Sequence, residues 1–275
     1  MSLHSLSSRV VCAVLAGATA AAAQDFPDSK PAAAPGAAAS LADSTKAIQK
    51  IEGTRYKLGA LEFDQKSREV SIPAKVNLRE GLLEYVLVHE SGKVHESLLS
   101  TAVKPFELNV VLLLLNWKKS EAFFDFSRPE RGGVLVKGAV NPAASHVEVH
   151  VAWKDKDGHD QTCRIENWLH QVEKKAKITE EPFIYTGSQI LPDGAFLAEQ
   201  TGSILALYQD PGSLVNNPRE GNDLDDVWIN DPAVPEKGTP VTVIFKPGAA
   251  PAEKKAGREK EPPAKPAPRR KSTNR

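Results

Sequence analysis

Strand signals dominate the chain between Thr54 and Asp231. Tyr56 to Phe63 alternates in part, and Asp64-Gln65-Lys66-Ser67-Arg68 reads as a polar turn. Glu69 to Leu78 alternates again, with Val70, Ile72, Ala74 and Val76 on one face. Pro73 falls on the other face, which argues for an edge position or a bulge. Leu82 to His89 is more continuously apolar, like a strand buried on both faces, and Ser91-Gly92 turns the chain into Val94 to Ser100. Pro105 to Trp117 then changes period. Phe106, Val110, Leu113, Leu114 and Trp117 share a stripe at helical spacing behind a proline suited to a first turn.

The pattern then starts again. Val134 to Val140 reads as a strand, His146 to Trp153 alternates cleanly, and Asp157-Gly158 marks a turn before a strand over Asp160 to Ile165. Ile165 to Ala176 reads as an amphipathic helix. A shift of 64 residues lays Val76-Asn77 on Val140-Asn141 and Glu84 on Glu148. A duplication of that kind would give two similar βββα halves; chance resemblance of two antiparallel units is the alternative. Phe183 to Leu191, Ala195 to Gln200 and Ser203 to Tyr208 read as three further short strands. The expected fold class is α+β: a mainly antiparallel sheet with two or three helices.

Composition adds most at the two ends. Residues 1–23 carry Arg9, an Ala-rich apolar stretch and Ala21-Ala22-Ala23 before Gln24, the pattern of a signal peptide. Residues 24–53 read as an Ala/Pro-rich linker with a short helix, 54–231 as the folded domain, and 232–275 as a disordered Pro-rich basic tail. From Lys246 onward the tail holds ten Lys/Arg and three Glu. The whole chain of 275 residues is formally neutral. Subtracting the tail's +7 and Arg9's +1 from zero leaves residues 24–245 at −8, an acidic body with a basic tail. Such a tail suits an anionic envelope surface. It has no aromatic to stack on bases, so nucleic acid is not expected as a partner. No apolar run approaches the roughly 20 residues of a membrane-spanning helix, so the chain is not expected to be transmembrane once the signal is removed.

The order of motifs is familiar. The runs IPAKVNLREGLLEYVLVHESGKVHESLLST, FIYTGSQI and LYQDPGSLVNNP, then an acidic loop and Trp228, resemble the YdjY-domain family of exported proteins over roughly Thr54 to Asp231. The resemblance brings no established activity. The family's namesake has been described as ferredoxin-like, but signal cleavage would remove Cys12 and leave Cys163 alone. No cysteine-ligated iron–sulfur cluster is expected.

Three groups of residues offer chemistry. His95, Glu96 and Ser97 are types used in acid–base and nucleophilic work. On a strand His95 and Ser97 would share a face about 6.5 Å apart, too far for direct activation. His146, Glu148 and His150 alternate with Val147, Val149 and Val151, so they share a face and could contribute to a zinc or copper site. Asn222, Asp223, Asp225 and Asp226 supply oxygen donors in a Gly-containing loop, as Ca²⁺ prefers, without the EF-hand spacing. Each has a plain alternative: structural hydrogen bonds, a solvated sheet face, a bare acidic loop. No phosphate loop, Gly-x-Ser-x-Gly elbow or dinucleotide fingerprint is present. The reading that results is a periplasmic or secreted, envelope-associated binding or structural module with a possible protein partner. Its ligand, cofactor and any enzymatic activity stay unassigned. A metal-dependent enzyme or metal-binding protein using the histidines is the alternative.

Overall fold

The computed structural model describes residues 47–127, 133–172, 174–224 and 228–248. The signal-like residues 1–23, most of the linker, Asp225, Asp226 and the tail beyond Gly248 lie outside them. Seventeen strands are described. β1 (Gln49–Glu52), β2 (Arg55–Leu58) and β3 (Leu61–Asp64) precede β4 (Val70–Val76), β5 (Tyr85–His89) and β6 (Ser97–Thr101). Helix α1 (Pro105–Leu114) is followed by the small strands β7 (Phe124–Asp125) and β8 (Val134–Leu135), then by β9 (His146–Lys154) and β10 (Asp160–Arg164). Next come β11 (Leu169–Gln171), β12 (Ala176–Lys177), β13 (Phe183–Tyr185), helix α2 (Leu197–Thr201), β14 (Ser203–Ala206), β15 (Val215–Asn216), β16 (Trp228–Asn230) and β17 (Pro240–Pro247).

Eight of these strands close on themselves in the order β4-β17-β9-β13-β15-β14-β5-β6, and β6 pairs back to β4 through Lys75↔Ser100 and Val76↔Leu99. This closed barrel corrects the α+β expectation. Strand accounts for 39% and helix for 13%, with two α-helices among the described residues. Two of its pairings, β5–β6 and β14–β15, are parallel, and the rest antiparallel. Closure removes the edges an open sheet would expose. The inward residues alternate with outward ones, and Ile72, Val76, Leu87, Leu99, Val147, Val149, Val151, Phe183, Val243 and Phe245 all belong to one buried cluster. A barrel of eight strands is just wide enough to be filled by such side chains.

Several departures from the sequence reading have identifiable causes. Ile165 to Ala176 is not a helix: Ile165–Trp168 is one 3₁₀ turn, and the chain then extends into β11. Its apolar residues pack on the barrel, with Trp168 against Trp153 at 4.9 Å between ring centroids, and β11 finds its partner in the distant β16. Non-local pairing here overrides a local helical pattern. Ala195 to Gln200 is not a strand but leads into α2, which Gly202 ends in the left-handed conformation at φ 71°. The two βββα halves are absent, because β5–β6 is parallel, β9–β10 is antiparallel and β10 leads into a 3₁₀ turn and β11 instead of an α-helix. Pro73 sits in an interior strand, at the point where β4 changes neighbour from β3 to β6. A missing N–H is tolerated there, and the Thr101 hydroxyl donates to the Pro73 carbonyl at 2.6 Å. Gln49–Glu52, read as linker, is a strand. Pro240–Pro247, read as tail, pairs with β4 and β9 and completes the barrel.

A helix is present within Pro105 to Trp117 as α1, ending at Leu114, but its buried face is Leu108, Val110, Val111 and Leu112, and Leu113 and Leu114 of the expected stripe are half exposed. Its ends are held from outside. The Phe106 N–H donates to Glu199 Oε2 at 2.9 Å, placing a carboxylate at the positive end of the helix. Arg68 donates to the Leu115 and Asn116 carbonyls, at 2.8 and 3.1 Å, at the other end.

Candidate functional site

The sequence-derived candidates do not converge. Val94–Glu96 is a 3₁₀ turn leading into β6, so His95 and Glu96 are not on a strand as expected. His95 is 77% exposed with Nε2 3.7 Å from Glu96 Oε2. Ser97 is fully buried, and its hydroxyl donates to the Leu99 carbonyl at 2.8 Å. His146, Glu148 and His150 do share the outer face of β9, but four residues of strand separate the histidines by about 13 Å. That distance is too great for one ion. Glu148 instead takes Arg164 Nη1 at 3.2 Å, with His150 Nε2 at 3.5 Å. Among the described residues, the group whose potential ligand atoms all lie within 4.8 Å is Asp155, Asp157 and His159, on the β9–β10 turn. Asp155 there caps the turn by accepting from the Asp157 and His159 N–H groups.

Glu148 belongs to a chain of charges that runs inward. Arg164 Nη2 donates to Glu166 Oε1 at 2.8 Å, and Arg219 Nη2 reaches the same oxygen at 3.1 Å. The Glu166 side chain has no exposure and that of Arg219 has 5%. Arg219 also donates from Nε to the Thr179 carbonyl at 2.9 Å, from Nη1 to Asn217 Oδ1 at 3.1 Å and from Nη2 to the Glu181 carbonyl. Its guanidinium lies 4.6 Å from the centre of the Phe183 ring. Burial pulls Arg219 down to about 10, against the opposing pull of Glu166 and Glu181. Glu166 Oε2, Arg164 Nε, His150 Nε2 and His146 Nδ1 are all buried without a hydrogen bond.

Arg219 anchors a loop that forms one wall of a cleft. The Asn216-Asn217-Pro218 run builds that loop by side-chain bonds to backbone. Asn216 Nδ2 donates to the Asp210 carbonyl, Asn217 Nδ2 to the Leu207 carbonyl, and Asn222 Nδ2 to the Asn217 carbonyl, at 2.9, 3.1 and 2.6 Å. The opposite wall is the β7–β8 hairpin, seated on β13 through Phe123, Phe124, Leu135 and Ile184. Between the walls lie two pockets, of 330 and 490 Å³, that share Leu135, Lys137 and Asp223. The first is bounded by Phe123, Val136 and Pro218, the second by Val134, Tyr208 and Pro211. Lys137 Nζ bridges to Asp223 Oδ2 at 2.6 Å across the shared boundary, and that bond holds the Asp223 carboxyl below the ordinary range.

The lining of the cleft is mixed, with Lys137, Arg219, Glu220 and Asp223 beside Leu135, Val136 and Pro218. Phe126, Val134, Val136 and Val140 are exposed, Val140 at 90%. A YdjY domain model matches residues 61–246. The chain belongs to the YdjY domain family. The match runs into β17, so the YdjY domain extends to the last strand of the barrel. No curated protein and no solved structure matches the chain.

Of the cleft, the sequence reading had Asn222 and Asp223. Asn222 is spent on the loop's own backbone and Asp223 on Lys137; Asp225 and Asp226 lie outside the described residues. It missed Lys137, Leu135, Tyr208 and Arg219. The one usable signal for Arg219 was its place beside Asn217-Pro218, in a loop with few other apolar anchors.

Proposed function

We propose that this YdjY domain is an exported binding module of the cell envelope. The barrel serves as a rigid scaffold, the two-pocket cleft as the recognition site, and the basic tail as an electrostatic hold on an anionic surface. The observation that carries this reading is the paired cleft with its exposed apolar border. The signal-like residues 1–23 support export, to the periplasm or beyond, and with Lys246 counted in β17 the charge asymmetry of −7 for residues 24–248 against +6 for 249–275 supports the tail's role.

The test is co-sedimentation of the mature full chain with phosphatidylglycerol vesicles and with phosphatidylcholine vesicles. Binding to the first at low salt, lost by about 0.5 M salt as the Debye length shrinks to a few ångströms, is expected. Equal binding to both lipids, or binding that salt does not change, would remove the tail from the account.

A further inference from the structure

Barrel closure leaves a regular strand outside the ring. β9 carries β13 against its first residues and β10 against its last, so the wall forks there. Among the described residues, β10 has β9 as its one neighbour strand. The two pair without a shift in register from Asp160↔Lys154 to Arg164↔His150. The other free edges are blunted. β1 carries a bulge between Lys50 and Glu52, β7, β8 and β12 are two residues long, and β16 is bridged to Leu82 through Ile229. Bulges, shortness, covering segments, proline and inward charges are the devices that keep an edge from pairing. β10 has no bulge, no proline and no inward charge. Its two charged residues are tied within their own chain, Asp160 to Lys154 at 2.7 Å and Arg164 to Glu148 and Glu166.

The phase of the ladder says which backbone groups face outward. Pro73 has no N–H, so it stands opposite Thr242 as an unbonded pair, with its carbonyl turned to Thr101. Bonded and unbonded pairs alternate across antiparallel strands. Thr242 therefore bonds to Ala152, and Ala152 and Thr162 turn their groups away from each other. The Asp155 N–H, donating to the His159 carbonyl at 2.9 Å, sets the same phase from the turn. Asp160, Thr162 and Arg164 thus direct their backbone N–H groups away from β9. Thr162 is the middle one, and its side chain is exposed.

We propose that β10 pairs antiparallel with β10 of a second copy of this chain, about a two-fold axis through Thr162. That register sets Thr162 against the partner's Thr162 as a bonded pair, Asp160 against the partner's Arg164, and Gln161 against the partner's Cys163. The fit of the strand to itself is what favours a copy. The outward residues are symmetric about Thr162, so the whole edge is used, and no like charges are opposed. Because Asp160 and Arg164 already have partners, the backbone ladder carries the contact. The small outward side chains of Pro73, Thr242, Ala152 and Thr162 stand in one row across β4, β17, β9 and β10. In the pair that row continues from β4 of one copy to β4 of the other, and two barrels share one sheet. A two-fold contact of this kind closes on itself and does not propagate into fibres. The inference is independent of the cleft.

The test is sedimentation velocity of the mature full chain from about 1 to 300 µM, beside Thr162→Pro. That substitution removes one outward N–H, which an edge strand tolerates, so far-UV circular dichroism should not change. Reversible dimers that grow with concentration are expected for the native chain, with association at least about tenfold weaker in the variant. A chain that stays monomeric throughout overturns the proposal, and so does a dimer that Thr162→Pro leaves as strong. Should Thr162→Pro unfold, engineered cysteines in a Cys163→Ser background read the register instead. Thr162→Cys should oxidise to a covalent dimer, because a bonded pair holds its Cα atoms about 5.5 Å apart, within disulfide reach. Asp160→Cys, about 13 Å along the strands from its own copy, should not. Equal cross-linking of both variants, or of neither, overturns the two-fold pairing.

Discussion

Arg219 should be worth more to this fold than any exposed ion pair, and a double-mutant cycle with Glu166 measures how much. Arg219→Met keeps much of the volume but removes three bonds to Thr179, Asn217 and Glu181, the pair with Glu166 and the Phe183 contact. Taking one member from a buried charge pair costs about 3–5 kcal/mol, because the other charge is left in a dry site. Glu166 keeps Arg164 at 2.8 Å, so Arg219→Met should fall at the low end, about 3 kcal/mol. Glu166→Leu strips the partner from two guanidiniums, one of them buried, and should cost about 5 kcal/mol. The double variant should cost less than the sum by at least about 1 kcal/mol, since it leaves neither orphan of that pair. Urea unfolding followed by far-UV circular dichroism gives the three values, provided the slopes agree. Single costs below about 1 kcal/mol, or strict additivity, would refute the claim that this network clamps the cleft loop onto the barrel.

Three further outcomes test other parts of the structure. Gly202→Ala places a methyl 2.8 Å from Gly92 Cα at a φ of 71°, and should lower stability by about 1–3 kcal/mol in thermal unfolding; Gly138→Ala, at φ 72° but with open space around it, should cost less, and equal costs would show that the close approach is relaxed. Burial alone would raise the Asp231 carboxyl, but the Ala233 N–H, His170 at 2.5 Å and Lys177 hold it below the ordinary range. Its contribution is therefore present above about pH 4 and lost as pH falls through the depressed value, so Asp231→Asn should flatten the acid limb of the stability profile; an unchanged limb counts against the pair. Burial pushes the Cys163 thiol up to about 11, with Glu166 and Glu180 adding to it against Lys177, so alkylation at pH 8 should run on the order of a hundredfold slower than for a free cysteine; a rate near the free value would mean an accessible, activated thiol.

What the sequence disclosed was mostly local. α1, the Asp157-Gly158 turn and the alternating β9 follow from period and turn chemistry, and each is where the pattern placed it. The barrel was not legible, because closure depends on which strands meet. Nothing in Val70–Val76 or Pro240–Pro247 alone announces that they pair across most of the chain. Ile165 to Ala176 shows the same limit: an apolar spacing that fits a helix also fits a 3₁₀ turn and a strand once Trp153 and β16 supply the contacts. The cleft was harder still. Its walls come from two loops some 80 residues apart, and Lys137 has no local feature that sets it apart from other surface lysines. The spread of His146 and His150 along β9 was legible beforehand, as the length of four strand residues.

The position of β17 has a consequence for how the molecule comes to be folded at all. It is the last strand of the barrel in the chain, yet it lies between β4 and β9, pairing Phe245 with Val70 and with Val149. Until those last residues are made, the growing polypeptide has two unpaired margins and no closed core. Contacts of such high sequence separation are slow to form and make early collapse unproductive. Closure of the barrel therefore waits for the final strand, and every earlier strand pairing is made before the core can be sealed.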